Sequence, residues 1–312
     1  MDVLQQLING LSLGALYALI AVGYTVVYGI VQLINFAHGE IFMMGAFGSL
    51  ATWLLFPGSS RSLPMLLVML VGGVAVAVGM ALLTERFAYR PLRSAPRLAP
   101  LITAIGVSIF LQEFVRLFFG SIPSFPDAKS AIPFPQIEFV TGPAVDLGGV
   151  IIQRAALFTL VALAVCATFL FIFVNRTRLG RAMQATSQDP DTARLMGINV
   201  DKIIMVAFAL GAALAAVAGL SWGLRYTNID FRMGFLAGLK AFTAAVLGGI
   251  GNINGAVLGG LVLGVVETMA TSFIPGTFGG SAWKDVWAFV LLILVLVFRP
   301  QGLLGARVVD RA

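Results

Sequence analysis

The sequence predicts an all-α fold, a polytopic bundle of about 8–10 transmembrane helices that includes broken or re-entrant helices. The 312 residues are 59% hydrophobic and 11% charged, whereas a soluble globular domain carries about 25% charged residues. Apolar runs recur along the chain, and a membrane span needs about 20 mostly apolar residues. Thirty-five glycines are typical of closely packed transmembrane helices. We treat residues 1–312 as one transmembrane domain.

Polar segments divide the apolar runs into candidate spans. One region, 238–271, is roughly 50 Å long as a helix, more than one crossing needs. Glycines near 248–255 interrupt it, so it forms either two arms or a re-entrant piece and a span. The other predicted spans are 4–28, 33–56, 64–84, 98–118, 151–174, 203–222 and 283–298.

Basic residues indicate which segments lie in the cytoplasm. Twelve of the twenty Lys and Arg lie at 86–97, 176–202 and 299–311. The proline-rich connection 120–150 has a single lysine and is predicted outside, as are 225–240 and 275–285. If every segment crosses, the chain has nine spans, with the N-terminus outside and the C-terminus inside; eight or ten remain open. The net charge of +6 is explained by this concentration of basic residues in the segments predicted to be cytoplasmic. It does not indicate a nucleic acid partner.

The polar segment 175–202 contains a short helix with a defined start and stop. Asp189 is an N-cap residue, and Pro190 fits the first helical position. Asp191 adds negative charge near the helix N-terminus, and Gly197 is a natural C-terminal stop. A helix of about two turns is unstable alone, so it either docks on a soluble partner or packs on the protein's own loops. Its apolar side chains are Ala193, Leu195 and Met196.

Residues 35–40, NFAHGE, are the most polar stretch inside an apolar region. An ionisable group there costs about 2.5–3.5 kcal/mol, and persists when it is paired or lines a wet cavity. Both interpretations stay open for His38 and Glu40. These side chains also suit a helix break, where they satisfy freed backbone groups. His38 is the only histidine, which argues against a histidine metal site.

Other intramembrane features give weaker signals. Glu113 and Arg116 are spaced to pair on one helix face, whereas Glu267 has no evident partner. Glycines near 250 serve tight packing or expose backbone groups that bind the charged ends of a zwitterion. The sequences INFA (34–37) and INGA (253–256) both lie at breaks, and paired broken helices mark a transport pathway; chance also explains four matches. The candidate pathway residues are Asn35, His38, Glu40, Gly248, Gly249, Gly251, Asn252 and Asn254.

Several catalytic motifs are absent from the sequence. It contains no G-x-x-x-x-G-K-[ST] phosphate loop, no H-E-x-x-H and no G-x-S-x-G. It also has no cluster of Cys and His. We therefore predict no enzyme, no metal site and no cofactor bound by this chain.

Five blocks of the sequence resemble LivH-type permease subunits of bacterial branched-chain amino acid ABC importers. They begin with NGLSLGALYALIAVGYTVVYGIVQLINFAHGE (9–40) and ERFAYRPLRSAPRLAPLITAIGVSIFLQ (85–112). They continue with GRAMQATSQDPDTARLMGINVDK (180–202), FLAGLKAFTAAVLGGIGNINGAVLGGLVLGVVE (235–267) and FRPQGLLG (298–305). The resemblance covers nearly the whole chain, and 120–150 is its least distinctive part.

The resemblance implies a place in a larger machine. Such permeases lie in the bacterial inner membrane among lipid and pair with a LivM-type permease. Cytoplasmic LivF-type and LivG-type ATPases bind ATP-Mg and drive alternating access, and a periplasmic binding protein delivers leucine, isoleucine or valine. Related permeases carry urea, short amides or other amino acids.

The resemblance also implies a role for the helix in 175–202 as the coupling helix that docks on an ATPase. The Glu-Ala-Ala opening of the wider family is absent, and Gln184-Ala185-Thr186 is its nearest counterpart. Two other hypotheses stay open: an ion-coupled carrier that uses His38, Glu40, Glu113 and Glu267, and a passive channel. The implied coupling residues are Asp189, Pro190, Asp191, Ala193, Arg194, Leu195, Met196 and Gly197.

Overall fold

Eleven α-helices make up most of the computed structural model, which describes residues 2–32, 35–56, 61–93, 95–96, 98–146 and 148–305. Two short antiparallel strand pairs complete it, β1 (Ile132–Pro133) with β4 (Asn228–Ile229), and β2 (Pro143–Asp146) with β3 (Ile151–Gln153). The helices are α1 (Asp2–Val31), α2 (His38–Leu55), α3 (Leu63–Thr84), α4 (Leu98–Phe118), α5 (Arg154–Arg176), α6 (Arg178–Gln188), α7 (Pro190–Leu195), α8 (Val200–Tyr226), α9 (Met233–Gly248), α10 (Ile253–Phe273) and α11 (Lys284–Phe298).

The polytopic helical fold predicted from the sequence is confirmed. Within the described residues, seven helices are long and apolar enough to cross a membrane, namely α1, α3, α4, α5, α8, α10 and the segment that contains α11. The apolar helices α2 and α9 have 18 and 16 residues and lie against each other inside the bundle. The region predicted at 238–271 forms two arms, α9 and α10, joined by a turn at 249–252.

Contacts between connecting segments define two ends of the bundle. At the end that we call the basic end, Arg90 and Arg93 pair with Asp201 at the start of α8. Gln32, after α1, donates to the Ser187 carbonyl at this end (3.4 Å). The segments 85–93, 175–202, 248–252 and 299–305 lie there.

The other end, which we call the opposite end, carries the strand pairs and the start of α1. The Ile151 amide donates to Gln5 Oε1 (2.7 Å), and the Glu138 amide donates to the Arg61 carbonyl (3.0 Å). Segments predicted to share a side of the membrane therefore share an end of the bundle.

Glycines bring α1 and α10 together at backbone distance. A Cβ added at Gly10 would lie 2.8 Å from Val265 Cα, and one at Gly14 would lie 2.7 Å from Leu261 Cα. Gly260 and Gly264 face α1 from α10 in the same way. This arrangement is the small-residue packing that stabilises membrane helices without a hydrophobic driving force.

The structure corrects three predicted boundaries. Helical backbone continues past Thr84 through a π turn at Glu85–Tyr89 and a 3-10 turn at Arg90–Leu92, because Arg93 neutralises the buried Glu85. The fifth span begins at Arg154 instead of 151, since 151–153 form β3. Segment 175–202 holds a helix that we did not predict, α6, before the predicted short helix.

Lys240, at the end of the segment 225–240, lies inside the bundle, and the side of the membrane predicted for this segment stays a prediction. Lys240 is in α9 and is 5% exposed. Its ammonium contacts Glu267 on α10 and Asp285 on α11. Glu267, which had no evident partner in the sequence, therefore has one across the helix interface.

Candidate functional site

The predicted short helix is α7, and both of its ends are capped. Asp189 Oδ1 accepts hydrogen bonds from the amides of Asp191 and Thr192 (3.0 Å each). The Thr192 hydroxyl, together with these two amides, holds the pKa of Asp189 below its usual range. At the other end Gly197 has φ +82°. The Ile198 amide donates to the Ala193 carbonyl and the Gly197 amide donates to the Arg194 carbonyl (3.0 Å each). These bonds form a Schellman cap, so α7 is held locally.

The apolar side chains of α7 divide between the protein and solvent. Ala193 is 3% exposed and packs inward, whereas Leu195 and Met196 are 88% and 79% exposed. Pro190 begins the helix, and Arg194 pairs with Asp191 on its surface (2.8 Å). Two adjacent large apolar side chains at a rigid tip form a surface suited to a protein partner.

Ion pairs connect the α7 region with two long helices. Asn199 caps α8 by accepting the Lys202 amide (3.0 Å), so α8 begins three residues after Gly197. Asp201 in its first turn pairs with Arg90 and Arg93, and Arg93 also pairs with the buried Glu85. These ion pairs connect the start of α8 with the segment that follows α3.

The NFAHGE segment lies inside the bundle. A Cβ added at Gly23 would lie 2.5 Å from His38 Nε2, and Gly23 is about 12 Å along α1 from its C-terminal end. His38 packs edge-on against Tyr24, with ring centroids 4.6 Å apart, and its Nε2 has no partner among the described residues. The predicted helix break here is therefore real, since α2 starts within the bundle.

The polar side chains of this segment are held by neutral groups. Asn35 Oδ1 accepts from the Tyr89 hydroxyl (2.7 Å). Glu40 is fully buried, and its Oε1 accepts from Ser108 Oγ (3.0 Å) and Gln112 Nε2 (2.7 Å). These contacts pair Asn35 and Glu40 structurally, and a pathway role for the segment stays a prediction.

The glycine-rich turn between α9 and α10 lies against the C-terminal segment. The amides of Leu303 and Leu304 donate to the carbonyls of Leu247 (2.8 Å) and Gly248 (2.9 Å). Asn252 caps α10 through Oδ1 and donates from Nδ2 to the Leu304 carbonyl (2.8 Å). Gly249 has φ +105°, and a Cβ there would lie 2.5 Å from the Gly305 amide nitrogen.

Three of the candidate pathway residues face an open cavity at the basic end. Gly251, Asn252 and Asn254 line a space of about 420 Å³, together with parts of α1, α5 and α6. Gly248 and Gly249 are instead in contact with neighbouring backbone. The structure thus separates the candidates into a cavity group and a packing group, and their role in transport stays a prediction.

A larger cavity at the opposite end was missed by the sequence reasoning. It has a volume of about 570 Å³ and is lined by residues of α1, α8, α9, α10 and α11, including Lys240, Glu267 and Asp285. Lys240 Nζ lies 2.7 Å from Glu267 Oε1 and 2.6 Å from Asp285 Oδ1. The isolated charges in apolar runs at 240 and 267 were the only signal available in the sequence.

Comparison with known proteins gives matches along the whole chain. The family described as branched-chain amino acid transport system / permease component matches residues 6–296. The high-affinity branched-chain amino acid transport system permease protein BraD of Pseudomonas aeruginosa is 47% identical over 99% of this chain and 97% of that protein. The corresponding LivH protein of Escherichia coli K12 is 43% identical, with the same coverage.

The fold is also found in a solved structure. An inward-facing structure assigned to the metal-chelate type of ABC transporter aligns with a TM-score of 0.50. The alignment covers 95% of this chain and 87% of that chain at 17% identity. At that identity the likeness concerns the fold alone.

Proposed function

Because the chain belongs to the family of branched-chain amino acid transport permease components, we propose that it imports leucine, isoleucine and valine as part of an ATP-driven transporter. It is a multi-pass membrane protein and a transport subunit. Family membership favours this function over an ion-coupled carrier or a passive channel. Urea, short amides and other amino acids are the alternative cargoes.

The exposed tip of α7 supports docking onto a cytoplasmic ATPase. Leu195 and Met196 project from a helix that is capped at both ends, and the chain itself has no phosphate loop for ATP. An apolar, desolvated contact at the centre of an interface carries most binding energy. ATP-Mg then binds on LivF-type and LivG-type partners. A LivM-type permease and a periplasmic binding protein complete the importer.

The distribution of charge supports a cytoplasmic location for the basic end in a bacterial inner membrane. Among the described residues, nine basic and four acidic residues lie at the basic end, and eight of each lie at the opposite end. The basic end holds Arg86, Arg90, Arg93, Arg176, Arg178, Arg181, Arg194, Lys202 and Arg299, with Glu85, Asp189, Asp191 and Asp201. The N-terminus is then periplasmic, and the segment 299–305 is cytoplasmic.

Alternating access follows from the connections of α7. When the ATPases close on ATP, α7 moves with the surface on which Leu195 and Met196 dock. Asp201 connects that movement to Arg90 and Arg93, so α8 and the end of α3 move together. The glycine contacts between α1 and α10 keep the rest of the bundle together during the movement.

The docking proposal is tested by the double variant Leu195→Asp/Met196→Asp. We expect normal insertion into the membrane, loss of co-purified ATPases and loss of leucine uptake, since two desolvated charges disrupt an apolar contact. Phe139→Asp is the matched control, because Phe139 is 56% exposed and lies at the opposite end. Full uptake by the double variant would contradict the docking role.

The cargo is tested by competition in cells that contain the complete transporter. Unlabelled isoleucine and valine are expected to suppress uptake of labelled leucine, whereas urea and acetamide are not. If urea and acetamide suppress the uptake of labelled leucine and isoleucine and valine do not, the transporter carries the alternative cargo.

A further inference from the structure

A cavity at the opposite end of the bundle combines both signs of charge with an apolar wall. Its volume of about 570 Å³ is within the range of small-molecule sites, about 300–1,000 Å³. Glu267 lies six residues before the end of α10, about 9 Å along the helix axis. A solute from the periplasm therefore meets this cavity before the centre of the bundle.

The charged wall is an ion cluster with one ammonium between two carboxylates. The Lys240 and Glu267 side chains are 7% and 5% exposed, and the Tyr17 hydroxyl donates to Glu267 Oε2 (3.1 Å). Asp285, at the first turn of α11, is 37% exposed on its side chain. The pair of Lys240 and Glu267 is thus sealed. Asp285 Oδ1, the oxygen beside Lys240, is also buried, but the rest of the Asp285 side chain is partly exposed and Asp285 is among the residues that line the cavity.

The cavity lining also includes apolar residues. Trp222 at the end of α8 and Met233 and Leu236 at the start of α9 line the same space. Ligand sites typically combine such walls with a few placed polar groups. A branched aliphatic side chain would therefore find complementary surface in the same cavity as the charges.

From this juxtaposition we propose that the cavity binds a free amino acid as a zwitterion, an inference that rests on the proposed function and gives it a binding site. The ligand enters between Lys240 and Asp285. Its carboxylate takes the place of Asp285 beside Lys240, and its ammonium pairs with the released Asp285. Glu267 remains paired with Lys240 and positions it. Because the zwitterion has no net charge, binding leaves the net charge of the cluster unchanged.

The tests of this site use the chain together with the subunits that co-purify with it. Trp222 lines the cavity, so its fluorescence reports whether an amino acid occupies the cavity. The variant Trp222→Phe shows how much of the total tryptophan fluorescence comes from Trp222. The variants are Asp285→Asn, which alters a half-exposed residue, and Lys240→Met/Glu267→Gln, which removes a balanced pair. Glu113→Gln/Arg116→Met is the control, since it removes another ion pair at the same end that does not line the cavity.

Leucine is expected to change the Trp222 signal in a saturable way. Both cavity variants should raise the Kd about tenfold or more, while the control keeps the wild-type Kd. The analogues 4-methylpentanoate and 3-methylbutylamine each lack one charged group, and should bind about tenfold or more weakly than leucine. Wild-type affinity in both cavity variants, or equal binding of the analogues, would overturn the inference.

Leucine uptake in cells separates this inference from the proposed function. If the wild-type transporter takes up leucine normally and Asp285→Asn leaves the KM for leucine unchanged, the cavity is not the binding site, and the proposed function still holds. If the wild-type transporter carries no branched-chain amino acid, the proposed cargo is wrong. A change of the Trp222 signal with another amino acid would in that case still support the zwitterion site.

Discussion

Glu40 and Glu267 are both shielded from solvent, at 0% and 4% exposure, but they are held by different chemistry. Glu40 accepts hydrogen bonds from two neutral groups on α4, Ser108 Oγ and Gln112 Nε2. Glu267 lies beside the ammonium of Lys240 and the hydroxyl of Tyr17. Glu267 lines the cavity of about 570 Å³ at the opposite end.

The difference teaches that burial of a carboxylate does not by itself indicate function. Neutral groups can donate hydrogen bonds to an amide oxygen as well as to a carboxylate oxygen, so the donors around Glu40 do not require a charge. An ammonium buried beside two carboxylates does require them, because an unpaired charge in a low-dielectric interior is costly. The cluster around Lys240 is therefore expected to be more sensitive to substitution.

The largest effect is expected for Lys240→Met. The change leaves Glu267 and Asp285 without their cation, and breaking a buried pair in this way costs about 3–5 kcal/mol. We expect little folded protein in membranes, measured by immunoblot and by thermal unfolding in detergent. Adding Glu267→Gln should restore much of the folded protein, and an equally unstable double variant would show that the cluster is not held by charge balance.

An intermediate effect is expected for Gln112→Leu. The substitution removes a neutral donor to a buried acceptor, which costs about 1–3 kcal/mol. The midpoint of thermal unfolding should fall, while the exposed Gln136→Leu serves as a reference. No change relative to that reference would mean that Ser108 alone suffices for Glu40.

The smallest effect is expected for Glu40→Gln. The amide oxygen keeps the bonds from Ser108 and Gln112, so the stability should change by about 1 kcal/mol or less. The matched change Glu267→Gln leaves Lys240 with only Asp285, and should lower the unfolding midpoint more. If Glu40→Gln proves the more damaging of the two, the ionised form of Glu40 is required and the contrast between the sites fails.

Local chemistry made helix α7 predictable. Asp189, Pro190 and Gly197 act through backbone groups within a few residues of themselves, so their order in the chain is sufficient to place both ends of α7. The same holds for Glu113 and Arg116, which share a helix face and pair as predicted. The exposure of Leu195 and Met196, which favours docking over packing on the protein's own loops, required the structure.

Contacts between distant helices were not predictable in this way. Tyr17, Lys240, Glu267 and Asp285 belong to four helices, and no spacing rule connects them. Pairing across the helix interface allows the charge of Lys240 to be buried within α9. The glycine-rich turn was ambiguous for the same reason, because its contacts come from the segment 301–305.

By itself, the sequence determined the helical membrane class, the segments that share a side and the capped helix α7, because apolar length, charge bias and capping act locally along the chain. The tertiary structure alone decided which buried charges pair, which glycines bring helices to backbone contact and where cavities open. These properties depend on side chains far apart in sequence that meet only when the helices pack.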